Sequence, residues 1–105
     1  MELGHAYSVL VVSAAQKFNE AFAAMLPGSE YYPVRFVGNI AAARREMVNK
    51  TYDLVIINAP LPDEFGHELC MDAVAGTDAG VVFLVKAAQA EQLLAPLNEQ
   101  GVLLL

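Results

Sequence analysis

Three short segments of this chain, Ser8–Val12, Tyr52–Ile57 and Val81–Val85, are β-branched and almost continuously apolar. A strand without polar alternation needs cover on both faces, the condition met by a parallel sheet between layers of helix. The intervening segments carry a different period. Phe18, Phe22 and Met25 or Leu26 recur at helical spacing, with Lys17, Asn19 and Glu20 opposite, and Pro27-Gly28 ends the run. Asn39 is a good N-cap for a second helix that turns Ile40, Ala43 and Met47 inward and leaves Arg44 and Glu46 on a solvated face. Leu69, Cys70 and Ala73 predict a short third helix. A fourth is predicted from Ala88 to Ala95, where Pro96 stops it. Tyr32–Val37 reads as a more polar strand nearer an edge, and Val102–Leu105 begins a fifth.

Alternating strand and helix over 105 residues predicts one α/β domain. Its expected form is a flavodoxin-like, doubly wound parallel sheet of order 2-1-3-4-5 with right-handed crossovers. The chain stops in the fifth strand, so the expectation is a domain over residues 1–105 that is truncated at its C-terminus and lacks a last helix. With 56% hydrophobic and 17% charged residues, the composition suits one core rather than disorder. Six basic against twelve acidic residues give a charge of -6, which disfavours direct binding of this segment to nucleic acid or an anionic membrane. Glu2 precedes the first apolar stretch and no Lys or Arg occurs before Lys17, unlike a secretory signal. No apolar run approaches the ~20 residues of a membrane span. The single cysteine forms no internal disulfide, and a cytoplasmic setting is expected.

In such a sheet ligands bind beyond the carboxyl ends of the strands, at the switch point between the first and third. Here that crevice is expected to hold Ser13, Ala14 and Asn58. Neither a dinucleotide fingerprint nor a Walker A lysine motif is present. Ser13-x-x-Gln16 has the spacing of a capping box, and Asn58 can hydrogen-bond into the loop that follows it. Asp63 and Glu64 read as a solvent-facing pair rather than metal ligands. His5 and His67 lack partners at zinc-ligand spacing, Cys70 reads as a small core residue, and Tyr31 and Tyr32 as packing residues at a strand start.

The run Tyr52–Gly66 carries a resemblance. In bacterial response-regulator receiver domains of the CheY-like kind, an apolar third strand ends in the aspartate that accepts a phosphoryl group. An apolar residue and a proline follow at the third and fourth positions onward, and a glycine at the eighth. Leu61, Pro62 and Gly66 keep that frame around Asn58, and the strand-helix alternation is similar over essentially the whole chain. The resemblance implies that Asn58 stands at the phosphoacceptor position, Ser13 and Ala14 at the acidic pair that helps hold magnesium, and Val85 at the hydroxyl position ending the fourth strand. The family's lysine after the fifth strand would lie past Leu105. Magnesium needs hard oxygen ligands and usually a carboxylate, which none of these positions supplies.

The chain therefore resembles a pseudo-receiver, and more narrowly the N-terminal receivers of ANTAR-type antitermination regulators. What this implies is a non-catalytic, phosphorylation-independent signalling module with no catalytic residue, metal or cofactor. It would regulate transcription or antitermination through protein partners or a downstream effector domain. A conventional phosphorylated switch, or a small-ligand-binding flavodoxin-like domain, are the alternatives. Lys86 has two readings, a solvated lysine at a strand end or a cation leaning over the vacant pocket. A homodimer is expected, because a missing last helix would leave apolar strand side chains and the Phe18/Phe22 helix short of cover.

Overall fold

The computed structural model describes residues 6–85 and 103–104. In chain order these form β1 (Tyr7–Val12), α1 (Gln16–Met25), β2 (Tyr31–Val37), α2 (Ile40–Asn49), β3 (Leu54–Asn58), α3 (His67–Gly76), β4 (Gly80–Leu84) and β5 (Leu103–Leu104). The sheet has the expected order β2-β1-β3-β4-β5, and every neighbouring pair is parallel. The helix expected over Ala88–Ala95, together with His5 and Lys86, lies outside the described residues. No helix among the described residues is long and apolar enough to cross a membrane.

The continuous apolar runs are divided between two layers by the strand period of two. Leu10 and Val12, Val55 and Ile57, and Val81 and Phe83 share one face, where Ile40 and Ala43 of α2 and Leu69, Cys70 and Ala73 of α3 close over them. Val9, Val11 and Ile56 face the other way, against Phe18 and Phe22, whose rings stack 5.4 Å apart. No residue of α1 is fully buried. Burial pushes the Cys70 thiol up to about 11, which fits its place in the core rather than reactivity.

Three polar expectations need correction. Arg44 and Glu46 are not simply solvated. The Arg44 guanidinium donates to Asp72 at 2.7 Å, tying α2 to α3. Glu46, with a side chain only 17% exposed, accepts the Tyr52 hydroxyl at 2.7 Å and lies 3.5 Å from Arg35. The hydrogen bond from Tyr52 holds the Glu46 carboxyl below its ordinary value, while burial and this carboxylate push the Tyr52 hydroxyl up to about 12. Tyr31 packs half-buried near Tyr7, with ring centroids 6.3 Å apart, but Tyr32 is 70% exposed and contributes little to the core.

Phe83 is the largest fully buried side chain and meets Phe65 edge-on at 5.8 Å. Phe83→Ala is expected to lower the unfolding free energy by about 3–5 kcal/mol, the range for an aromatic truncation that leaves a cavity. Urea melts followed by circular dichroism check this.

Candidate functional site

The carboxyl ends of β1 and β3 lie side by side, because Val12 pairs with Ile57 in the parallel ladder. The next residue on each strand completes the crevice. Ser13 is buried and Asn58 half-buried, and the Asn58 Nδ2 amide donates to Ser13 Oγ at 3.3 Å. Ala14 beside them is exposed and offers only a methyl group. The three residues singled out from the sequence are thus brought together, and their chemistry is entirely uncharged.

Ser13 does not form the expected capping box. Helix α1 begins at Gln16 with Ala15 as its N-cap and no side-chain cap. Ser13 Oγ accepts instead from the Ala15 amide at 3.2 Å, while Gln16 Nε2 donates to Glu20 at 3.1 Å. The backbone explains the difference. The Ser13 amide is committed to Val37 O at 2.9 Å, which holds the residue in the sheet, two positions before the Ala15 cap. Asn19, expected on the solvated side, turns back so that its Nδ2 donates to Ser13 O at 3.2 Å. Its Oδ1 is buried and finds no donor among the described residues.

The loop between β3 and α3 follows from two residues of the motif frame and one outside it. Leu61 is 6% exposed and enters the core, and its amide donates to Glu64 O at 3.0 Å to close the turn. Gly66 adopts φ 113°, a left-handed conformation that side chains disfavour. A Cβ there would also come within 3.1 Å of Ile57 Cγ2 and 3.5 Å of Phe83 Cε1. Asp63 is exposed, as its place in the sequence suggests, but it has a role that sequence reasoning missed. Its two carboxylate oxygens accept from the amides of Ile40 at 2.9 Å and Ala41 at 3.0 Å, while Asn39 Oδ1 accepts from Ala42 at 2.7 Å. A helix start leaves such amides without partners, and here a carboxylate from a distant loop supplies them. These amides hold the Asp63 carboxyl below its ordinary value. Nothing local in the sequence signals this, since the partners are 22 and 23 residues away.

These residues do not fit a magnesium ion. A hydroxyl that already accepts two hydrogen bonds, a methyl group and an amide whose nitrogen points at that hydroxyl lack the anionic oxygen the ion prefers. Asp63 is committed to the start of α2. Among the described residues no group of three or more His, Cys, Asp and Glu side chains is placed to hold a metal. Val85 packs, partly buried, against the larger core cluster and supplies no hydroxyl.

No protein-family model matches the chain. No curated protein matches it either. Solved structures do. The receiver domain of a sensor histidine kinase from Pseudomonas aeruginosa PAO1, which holds a magnesium ion in its active-site cleft, superimposes with a TM-score of 0.74 at 19% identity, over 96% of this chain and 84% of that one. The response regulator TrrA from Thermotoga maritima, in complex with Mg2+-BeF, gives 0.74 at 20% identity, over 94% and 86%. The receiver domain of the response regulator TorR gives 0.74 at 17% identity, over 93% and 82%. This chain has the receiver fold. The expected topology is borne out, and Asn58, Leu61 and Gly66 fall at the end of its third strand and in the loop beyond.

Two outcomes test this geometry. Gly66→Ala is expected to destabilise by about 1–3 kcal/mol, from the left-handed backbone together with the approach of Ile57, measured by urea denaturation. For Asp63 the sign follows from a folded pKa below the unfolded one. Its stabilisation is complete above the unfolded value of roughly 3.9 and is lost as pH falls through the folded value. The urea midpoint of the wild type should exceed that of Asp63→Ala by a constant amount from about pH 7 to 5, and the gap should close below roughly pH 4.

Proposed function

We propose that this chain is a receiver-fold signalling module of a bacterial response regulator that works through protein contacts, without accepting a phosphoryl group. The observation that carries the reading is the Asn58 Nδ2 to Ser13 Oγ hydrogen bond at 3.3 Å across the crevice. Phosphoryl transfer rests on positioning and on neutralising developing charge, and it needs an oxygen nucleophile and a cation held nearby. The Asn58 amide nitrogen is a poor nucleophile because its lone pair is delocalised into the carbonyl. The crevice supplies no carboxylate to recruit the ion. In the Pseudomonas receiver the active-site cleft holds magnesium, and the Thermotoga regulator is described with Mg2+-BeF. In this chain an amide-hydroxyl bond joins β1 to β3 at the corresponding end of the sheet.

The output we infer is control of transcription or antitermination, exerted on a protein partner or an effector domain. Its support is the loop pattern of Leu61, Pro62 and Gly66 together with the receiver fold. Three of the helices such contacts would use are already tied to each other or to the sheet by Asp63, Arg44 and Asn19.

Acetyl phosphate or beryllofluoride with magnesium is expected to leave the mass of the protein and the amide resonances around Asn58 unchanged. A hydroxylamine-labile acyl phosphate would overturn the reading. Asn58→Asp alone is expected to remain poorly phosphorylated, because Ser13 and Ala14 still offer the ion no carboxylate. Near-stoichiometric phosphorylation of that variant would show that one substitution separates this crevice from a working one.

A further inference from the structure

The outer surface of α2 and α3 carries its charge in two stripes. Three of the chain's six basic residues, Arg44, Arg45 and Lys50, fall on α2 and its C-cap, although the chain as a whole has a net charge of -6. The one acid of α2, Glu46, is turned toward Tyr52 and Arg35. On α3 the exposed polar positions are the acids Glu68 and Asp72. The two stripes lie side by side, because Arg44 bonds Asp72 across the gap at 2.7 Å.

Between them runs a groove of about 280 Å3, lined by Arg44, Met47, Val48, Leu69 and Asp72. Val48 stands on its rim, 85% exposed. A lone exposed valine is ordinary on a protein surface. This one lies beside an apolar groove, on a helix where a β-branched residue is a weak former, with positive charge on one side and negative on the other.

We infer that this face is a self-association surface whose occupant is a second copy of the same chain. A surface bearing one sign of charge would repel its own copy, but a surface with adjacent stripes of opposite sign can be self-complementary. A two-fold axis lying along the groove sets α2 of each copy over α3 of the other. Arg44 and Arg45 then face the partner's acidic stripe, and the reciprocal contact repeats on the far side of the axis. Met47 and Val48 of both copies lie at the seam, where their apolar surface is withdrawn from water. A purely acidic or purely basic partner fits less well, since either would meet one stripe of its own sign. The surface differs from the α1 side, where the sequence suggested pairing, and it does not depend on the state of Asn58.

Sedimentation velocity on the full chain across a concentration series tests the inference, with circular dichroism confirming that each surface variant is folded. The expected result is a concentration-dependent dimer that weakens as salt is raised. Val48→Glu is expected to leave only monomer. Arg45→Glu should weaken association roughly tenfold, because symmetry counts the lost contact twice. The double variant Arg45→Glu/Glu68→Arg exchanges the stripes and should recover most of the affinity. A monomer at every concentration, or a dimer indifferent to Val48→Glu and Arg45→Glu, overturns the inference, as does a double variant no better than Arg45→Glu. Phosphorylation of the wild type would refute the preceding functional reading and leave this result standing, and a strict monomer inert to acetyl phosphate would do the reverse.

Discussion

The register of β1 against β3 is the constraint on which the remaining structure depends. Both strands are central and their facing residues are almost all buried, so a slip of one residue would turn each side chain to the wrong layer. The ladder pairs residues 45 apart, from Val9 with Leu54 to Val12 with Ile57. Polar side chains repeat that separation just beyond each end. At the amino end the Ser8 amide donates to Asp53 Oδ2 at 2.8 Å and the Asp53 amide to Ser8 Oγ at 3.0 Å. At the carboxyl end Asn58 reaches Ser13. The same register that fills the core therefore decides which polar groups meet in the crevice.

From that crevice the loop beyond β3 carries order outward. Leu61 and Gly66 belong to the core as much as to the loop, one by filling it and the other by leaving room for Ile57 and Phe83. With both ends of the loop held, Asp63 is set against the start of α2. Asn39 and Asp63 together satisfy three amides that a helix of this length leaves open, and α2 in turn meets α3 through Arg44 and Asp72. A loop that keeps a receiver's spacing is thus maintained here by packing and capping, which do not require a phosphoryl acceptor at its start.

Much of the fold was legible because apolar periodicity is a local property. Ile40, Ala43, Leu69, Cys70 and Ala73 read as inward-facing from spacing alone, and all are buried. Asn39 read as a cap because its partner, Ala42, is three residues away. Three polar misreadings share one cause. Asn19, Glu46 and Asp63 read as solvated from their neighbours in sequence, whereas their bonds are made to residues 6 to 23 positions away. Ser13 shows the competition directly, since its local capping geometry gave way to a sheet hydrogen bond from its own amide to Val37.

The sequence by itself determined the α/β class, the parallel sheet, the frame of the loop after β3 and the absence of carboxylates at positions 13, 14 and 58. Those features depend on which residue types occur and on how they are spaced. Only the tertiary structure decided that Asn58 would bond Ser13, that Asp63 would hold α2 and that opposite charges would line one groove. The physical reason is desolvation. Apolar residues need only be removed from water, which many neighbours can do, but a half-buried polar group needs a specific partner in the right geometry, and the folded chain determines which partner arrives.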